Sequence, residues 1–148
     1  MPTTNHQKFI NPNPLQRRFI ATFQHKFLGL LETIHPESVL EMGCGEGFLL
    51  SKIKEHFPSI PLLGKDNLAT ALAAGHNLFP NLQLHHGDIY HIDQADNSWD
   101  VVIASEVLEH LDRPEAALKE MKRVAKRYLL LSVPHEPLFR LSNLARGR

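Results

Sequence analysis

Val39-Leu40-Glu41-Met42-Gly43-Cys44-Gly45-Glu46-Gly47 runs from an apolar stretch into three glycines at alternate positions, and Phe48-Leu49-Leu50 then opens an apolar pattern of helical spacing. The order predicts a buried strand, a tight loop and a helix. Glycines remove side chains where a loop must turn, tolerate positive φ, and let the backbone approach a ligand closely. A strand, a glycine turn and a helix in this order point to a nucleotide-like ligand at the carboxyl end of the strand.

Outward from this stretch, the periodicity alternates between strand and helix. Ser38 to Met42, Ile60 to Gly64, Leu82 to His86, Trp99 to Ala104 and Tyr128 to Val133 read as strands. Helices are expected over Phe48 to His56, Leu68 to Leu78 and from Arg113-Pro114-Glu115 onward, where a proline and an acid suit free backbone donors. Trp99 to Ala104 is almost continuously apolar, as suits a sheet covered on both faces. Upstream, Leu15 to Thr33 is helical in pattern, with Phe19, Phe23, Phe27 and Leu30 or Leu31 near one stripe. The expected fold is an α/β domain: an open, mostly parallel Rossmann-like sheet with right-handed crossovers, flanked by helices.

Residues 1–14, with Pro2, Pro12 and Pro14, read as a flexible arm, and residues 15–148 as one domain. The stretch Pro137 to Arg148 carries Leu138, Phe139, Leu141 and Leu144 and then stops, an ending that resembles a cut before the sheet's last strands. At 148 residues the chain has room for one core. Its 16 Lys and Arg balance 16 Asp and Glu, so long-range attraction to nucleic acid or to an acidic membrane is not indicated. One cysteine forms no internal disulfide, and the apolar runs are far shorter than the roughly 20 residues of a membrane span; a cytoplasmic protein without membrane contact is expected.

Asp66 follows the glycines by about the twenty residues at which a carboxylate meets ribose hydroxyls. The glycine spacing is G-x-G-x-G, whereas a pyrophosphate site commonly uses G-x-G-x-x-G. Glu41 precedes the turn and Glu46 lies within it; carboxylates repel a pyrophosphate and attract a cation. The ligand expected is therefore positively charged and without phosphate. Binding of NAD in its place would contradict this reading.

The combination resembles the class I S-adenosylmethionine-dependent methyltransferases, above all their broad small-molecule, type 11 group. The motifs E-x-G-C-G-x-G, G-x-D, G-D and E-x-x-E-H stand here as Glu41 to Gly47, Gly64 to Asp66, Gly87-Asp88 and Glu106 to His110. The resemblance covers residues 38–136. It implies S-adenosylmethionine as cofactor, with the backbone of Gly43, Cys44 and Gly45 along its methionine part, Gly47 completing the turn, and Glu41 organising the loop or meeting the amino group. It further implies Asp66 at the ribose, Asp88 at the adenine amino group, the Ile89 backbone beside the ring, and Glu106 in the loop flanking the methionine end. Lys65, between Gly64 and Asp66, departs from the family's usual apolar residue; Asp66 and Glu41 are the partners expected for it, or else its charge reaches the rim.

Ser105 to Leu111 sits at the carboxyl edge of the fourth strand. Glu106, Glu109 and His110 gather there if the segment is one helical turn. The run then serves as structure, as an acid-base or acceptor contact through His110, or as part of a metal site, as in a related RNA 3′-end 2′-O-methyltransferase group. His135, in a stiff Pro-His-Glu-Pro turn after the fifth strand, is the other candidate for contact with the acceptor. The leading expectation is methyl transfer to a small molecule, with His110 and His135 as catalytic candidates and no metal. The alternatives are the metal-dependent RNA enzyme and a noncatalytic cofactor-binding module.

Overall fold

The computed structural model describes residues 13–133. Helix α1 (Pro14–Ile34) starts where Asn13 accepts a hydrogen bond from Leu15 N at 3.0 Å and Pro14 takes the first helical position. It ends at His35, which turns left-handed with φ 50°. The strands are β1 (Val39–Met42), β2 (Leu62–Asp66), β3 (Leu84–His86), β4 (Trp99–Ser105) and β5 (Ala125–Ser132). Between them lie α2 (Phe48–His56), α3 (Ala69–Leu78), a short 3₁₀ turn (Leu108–His110) and α4 (Pro114–Val124).

All five strands are parallel, in the order β3-β2-β1-β4-β5. The chain steps outward from β1 to β3, returns to the other side of β1 as β4, and ends on β5. The direction of winding therefore reverses between β1 and β4. Each face of the sheet has its own core. Val39 and Ile103 pack with Phe27 and Leu31 of α1, Leu50 and Ile53 of α2, and Leu72 of α3. Leu40, Met42, Leu63, Val102 and Ala104 face Met121 and Val124 of α4 together with Ile92. Strand alternation produces this division, since neighbours in a strand point to opposite faces.

Several expected boundaries move. Strand β2 lies two residues later than its periodicity predicted, a shift that keeps every side chain on its face. Strand β3 begins at Leu84 and not Leu82, and β5 starts three residues earlier than expected, directly from the end of α4. In α1 it is Leu31, fully buried, that continues the apolar stripe, while Leu30 is exposed. The helix begins at Pro14, inside the stretch expected to be an arm; residues 1–12 and the stretch from Pro134 onward, including His135, lie outside the described residues. The connection from β3 to β4 holds no helix: residues 87–98 cover the sheet themselves, through Ile89 and Ile92, beside Trp99 at the start of β4.

At the amino ends of the strands, Asp100 is almost wholly buried and accepts a fork of hydrogen bonds from Arg127, Nη2 to Oδ2 at 2.6 Å and Nε to Oδ1. Glu37 N donates to the same carboxylate at 2.8 Å. This clamp joins β4, β5 and the segment after α1 at the end of the sheet opposite the glycine turn.

Candidate active site

The glycine turn leaves β1 at the point where the winding reverses, and ligands of open α/β sheets bind in the crevice formed there. Gly43, Gly45 and Gly47 all have positive φ, at 75°, 55° and 85°. Gly43 has a second reason to lack a side chain. A Cβ there would overlap Val107 Cγ2 and come within 3.2 Å of Val107 Cγ1, so the loop after β4 lies directly against the turn after β1.

The turn hangs from the end of β2. Lys65 O accepts from Gly43 N at 2.7 Å and from Cys44 N at 3.1 Å. Asp66 Oδ2 accepts from Gly45 N at 2.7 Å, and Oδ1 from Leu68 N at 2.8 Å. Each of these oxygens keeps a second lone pair for a ligand hydroxyl. Asp66 O in turn accepts from Gly87 N at 3.0 Å, joining a third loop to the same strand end.

Two carboxyl groups inside this turn are buried with unmet oxygens. Glu41 is 3% exposed and Glu46 1%; Glu41 Oε2 and both carboxyl oxygens of Glu46 have no hydrogen-bond partner. Burial, reinforced by the charge of Asp66, pushes the Glu41 carboxyl up to about 8. Buried polar atoms without partners are rare and call for a ligand, a proton or a water. A cation presented to the turn would supply the missing partner and favour the ionised form. The residues present therefore fit a sulfonium or ammonium group. Burial and the neighbouring Glu41 and Asp66 charges push the Cys44 thiol far above its ordinary range, so it contributes backbone and volume, not a thiolate.

Asp88 and Ile89 follow β3 in the loop tied to Asp66. Asp88 Oδ1 accepts from Tyr90 N at 2.8 Å, Oδ2 lies 3.5 Å from His91 Nδ1, and the carboxylate is about half exposed. Ile89 is partly buried against the core below.

The loop after β4 differs from the helical turn expected for it. Glu106 takes φ 54°, an uncommon conformation for a non-glycine residue, and its N donates to Ser132 O at 3.0 Å. Val107 and Leu108 turn inward, and the 3₁₀ turn follows. Glu109 Oε1 and His110 Nε2 pair at 4.0 Å, with His110 75% exposed, and no three potential ligands among the described residues meet at a metal position. Burying the two apolar side chains decides the turn and leaves the polar ones at the rim.

Lys65 is also corrected. Alternation sends its side chain to the face opposite Asp66 and Glu41, and it pairs with Asp93 at 2.6 Å. Sequence reasoning singled out neither Asp93 nor Val107; the signals available were Lys65 in an apolar strand and a glycine that leaves room for a neighbour. An apolar groove of about 470 Å³ between α1 and β5, lined by Phe23, Phe27, Leu30 and Leu129 to Leu131, contains Lys26 as its one titratable group. The orphaned oxygens of Glu41 and Glu46 are at the glycine turn and not in this groove.

Residues 40–130 match the family described as a methyltransferase domain. The chain belongs to the class I S-adenosylmethionine-dependent methyltransferases. The chain is 30% identical over 131 residues to a demethylmenaquinone methyltransferase of Lactobacillus johnsonii, covering 80% of this chain and 54% of that one. It is 32% identical over 101 residues to an uncharacterized methyltransferase of Schizosaccharomyces pombe, covering 61% of this chain and 36% of that protein. The chain thus spans about a third to a half of these two relatives' lengths. Among solved structures it is similar to the methyltransferase domain of bacterial CtHen1, with TM-score 0.73, 24% identity and coverage of 84% of this chain and 72% of that one. It is also similar to S-adenosylmethionine-bound CalS10, an amino pentose methyltransferase from Micromonospora echinaspora, with TM-score 0.66, 21% identity and coverage of 78% and 52%. At these identities the structural likeness concerns the fold alone, in agreement with the sheet order described above.

Proposed function

We propose that this protein transfers a methyl group from S-adenosylmethionine to a small-molecule acceptor. The observation that carries the reading is the buried Glu41 carboxyl, with an unmet oxygen, beside a positive-φ glycine turn at the point of winding reversal. When bound, S-adenosylmethionine supplies an electrophilic methyl carbon on a positively charged sulfur. Gly43, Cys44 and Gly45 would present main chain to the methionine part, while Glu41 balances its positive charge. Asp66 would take the ribose hydroxyls on its free lone pairs. Asp88 would accept from the adenine amino group, with Ile89 beside the ring.

In-line displacement needs the acceptor held behind the methyl carbon and water kept away, and such positioning supplies much of the rate. Glu106, its backbone fixed in the left-handed region against Ser132, shapes the wall of the crevice next to Val107. His110, exposed at the rim, is proposed to take a proton from an acceptor hydroxyl. His135 is proposed as a second acceptor contact, and no metal is required. Relatives named for demethylmenaquinone, trans-aconitate and malonyl-[acyl-carrier protein] support a small acceptor. A cytoplasmic site of action is part of this proposal; no helix among the described residues is long and apolar enough to cross a membrane.

Calorimetric titration with S-adenosylmethionine, S-adenosylhomocysteine and NAD tests the cofactor. The first two are expected to bind, NAD to fail, and Asp66→Ala to weaken both; preference for NAD would reject the reading. With a competent acceptor, His110→Ala is expected to lower kcat while leaving S-adenosylhomocysteine binding unchanged. Tight binding without turnover of any acceptor would instead make the protein a cofactor-binding module.

A further inference from the structure

The lysine in β2 stands where an apolar residue would satisfy the core without help. Its side chain is 4% exposed and its ammonium meets Asp93 Oδ1 at 2.6 Å, while the Asp93 side chain is 73% exposed. A buried ammonium is expensive to keep unless paired, so its retention asks what the pair holds. Three contacts answer. The stem of Lys65 runs beneath Gly87, where a Cβ would come within 2.9 Å of Lys65 Cδ and 3.0 Å of Lys65 Cβ. Its head reaches the far end of the same loop at Asp93. Its carbonyl meanwhile accepts from Gly43 N and Cys44 N, the first two donors of the glycine turn.

The loop so held is 87–93, which carries Asp88 and Ile89 and contains no helix that would fix its course. Ile89 packs on the core, Tyr90 lies with its ring 4.7 Å from Arg113 Cζ and its hydroxyl accepting from Arg113 N at 3.3 Å, and from Ile92 onward Ile92 N donates to Glu120 Oε2 at 3.0 Å while Arg123 donates to Ile92 O and Gln94 O at 2.8 and 2.9 Å. At the near end, the Gly87 N bond to Asp66 O is the backbone tie. Between these anchors Lys65 is the side chain that passes underneath the loop and grips it. Gly87 and Lys65 fit each other, since any larger residue at 87 would lift the loop off the stem.

We propose that Lys65 is a positioning residue for the base of the cofactor, setting the height of the 87–93 loop so that Asp88 and Ile89 meet an adenine. This rests on the assignment of S-adenosylmethionine above. Through its main chain and side chain, one residue links the turn on the methionine side to the loop on the base side. Asp93 acts through Lys65 and touches no ligand.

The test uses isothermal titration of the whole chain with S-adenosylhomocysteine and with S-inosylhomocysteine, whose base carries an oxygen in place of the amino group. The unmodified protein is expected to prefer the adenine compound by on the order of tenfold or more, the worth of one hydrogen bond to a charged acceptor. Lys65→Met, which keeps the apolar stem, is expected to weaken the adenine compound about tenfold, to leave the inosine compound nearly unchanged, and so to bring the ratio toward one. Asp93→Asn is expected to move the ratio the same way, and it decides the question if Lys65→Met does not fold. A merely structural role would weaken both ligands alike. An unchanged ratio in a folded variant, or no preference in the unmodified protein, would overturn the proposal while leaving the cofactor assignment standing. Failure of the unmodified protein to bind either compound would strike the cofactor assignment itself, and this proposal with it.

Discussion

Gly43→Ala examines the contact on which the site geometry depends. Two separable penalties arise there. The native φ of 75° is in the left-handed region, where a Cβ costs about 1–2 kcal/mol. The added methyl would also overlap Val107 Cγ2, and forcing an extra carbon into a packed contact costs about 1–3 kcal/mol. Together these predict a loss of about 2–5 kcal/mol. Urea unfolding followed by far-ultraviolet circular dichroism measures it as a lower midpoint at unchanged slope. The decisive comparison is the cycle with Val107→Ala, which relieves the overlap but not the φ penalty. The double variant should be more stable than the sum of the single changes by about 1–3 kcal/mol, in the range seen for residues in contact. Additivity within about 0.5 kcal/mol would refute the reasoning, because it would mean that the β1 and β4 loops do not touch at this point.

Glu41 makes stability depend on pH in a known direction. Its folded carboxyl is pushed up from 4.5 to about 8, so across that interval the folded protein holds a proton that the unfolded chain releases, and stability falls as the pH rises. Glu41→Gln should flatten that part of the unfolding profile. If a cationic cofactor ionises Glu41 on binding, titration near neutral pH in buffers of different ionisation enthalpy should reveal proton release, and the same variant should abolish it. Arg127→Leu strands the buried Asp100, whose carboxyl the arginine holds below its usual range chiefly by hydrogen bonding. That stabilisation is present above the ordinary carboxylate range and lost as the pH falls through the folded value, so the variant should have a lower urea midpoint at neutral pH and converge on the parent in acid. The partial exposure of the guanidinium keeps the loss below that of a fully buried pair. Activity measured with an acceptor should survive a chelator, because in-line displacement at a sulfonium methyl can proceed by positioning alone; loss of turnover restored by a divalent ion would favour the metal-dependent reading.

Local chemistry dictated much of this molecule. Continuous apolar runs such as Trp99 to Ala104 require burial on both faces, which makes a parallel sheet with helical cover the natural solution, and three alternate glycines require a turn free of side chains. Asp66 could be placed at the end of its strand from spacing alone, even though the strand's start was misjudged by two residues, because the period of two preserved its face. Tertiary structure decided what local pattern does not encode. Val107 closes against Gly43 only because β4 returns beside β1, and the run after β4 becomes a left-handed residue and a 3₁₀ turn, with Val107 and Leu108 packed on the core, in place of a helical turn. Lys65 finds Asp93, 28 residues away, because alternation denies it the nearer acids and a helix-free loop folds over its face of the sheet. Periodicity determines which side of an element is buried; the partner across the gap is set by the path of the whole chain.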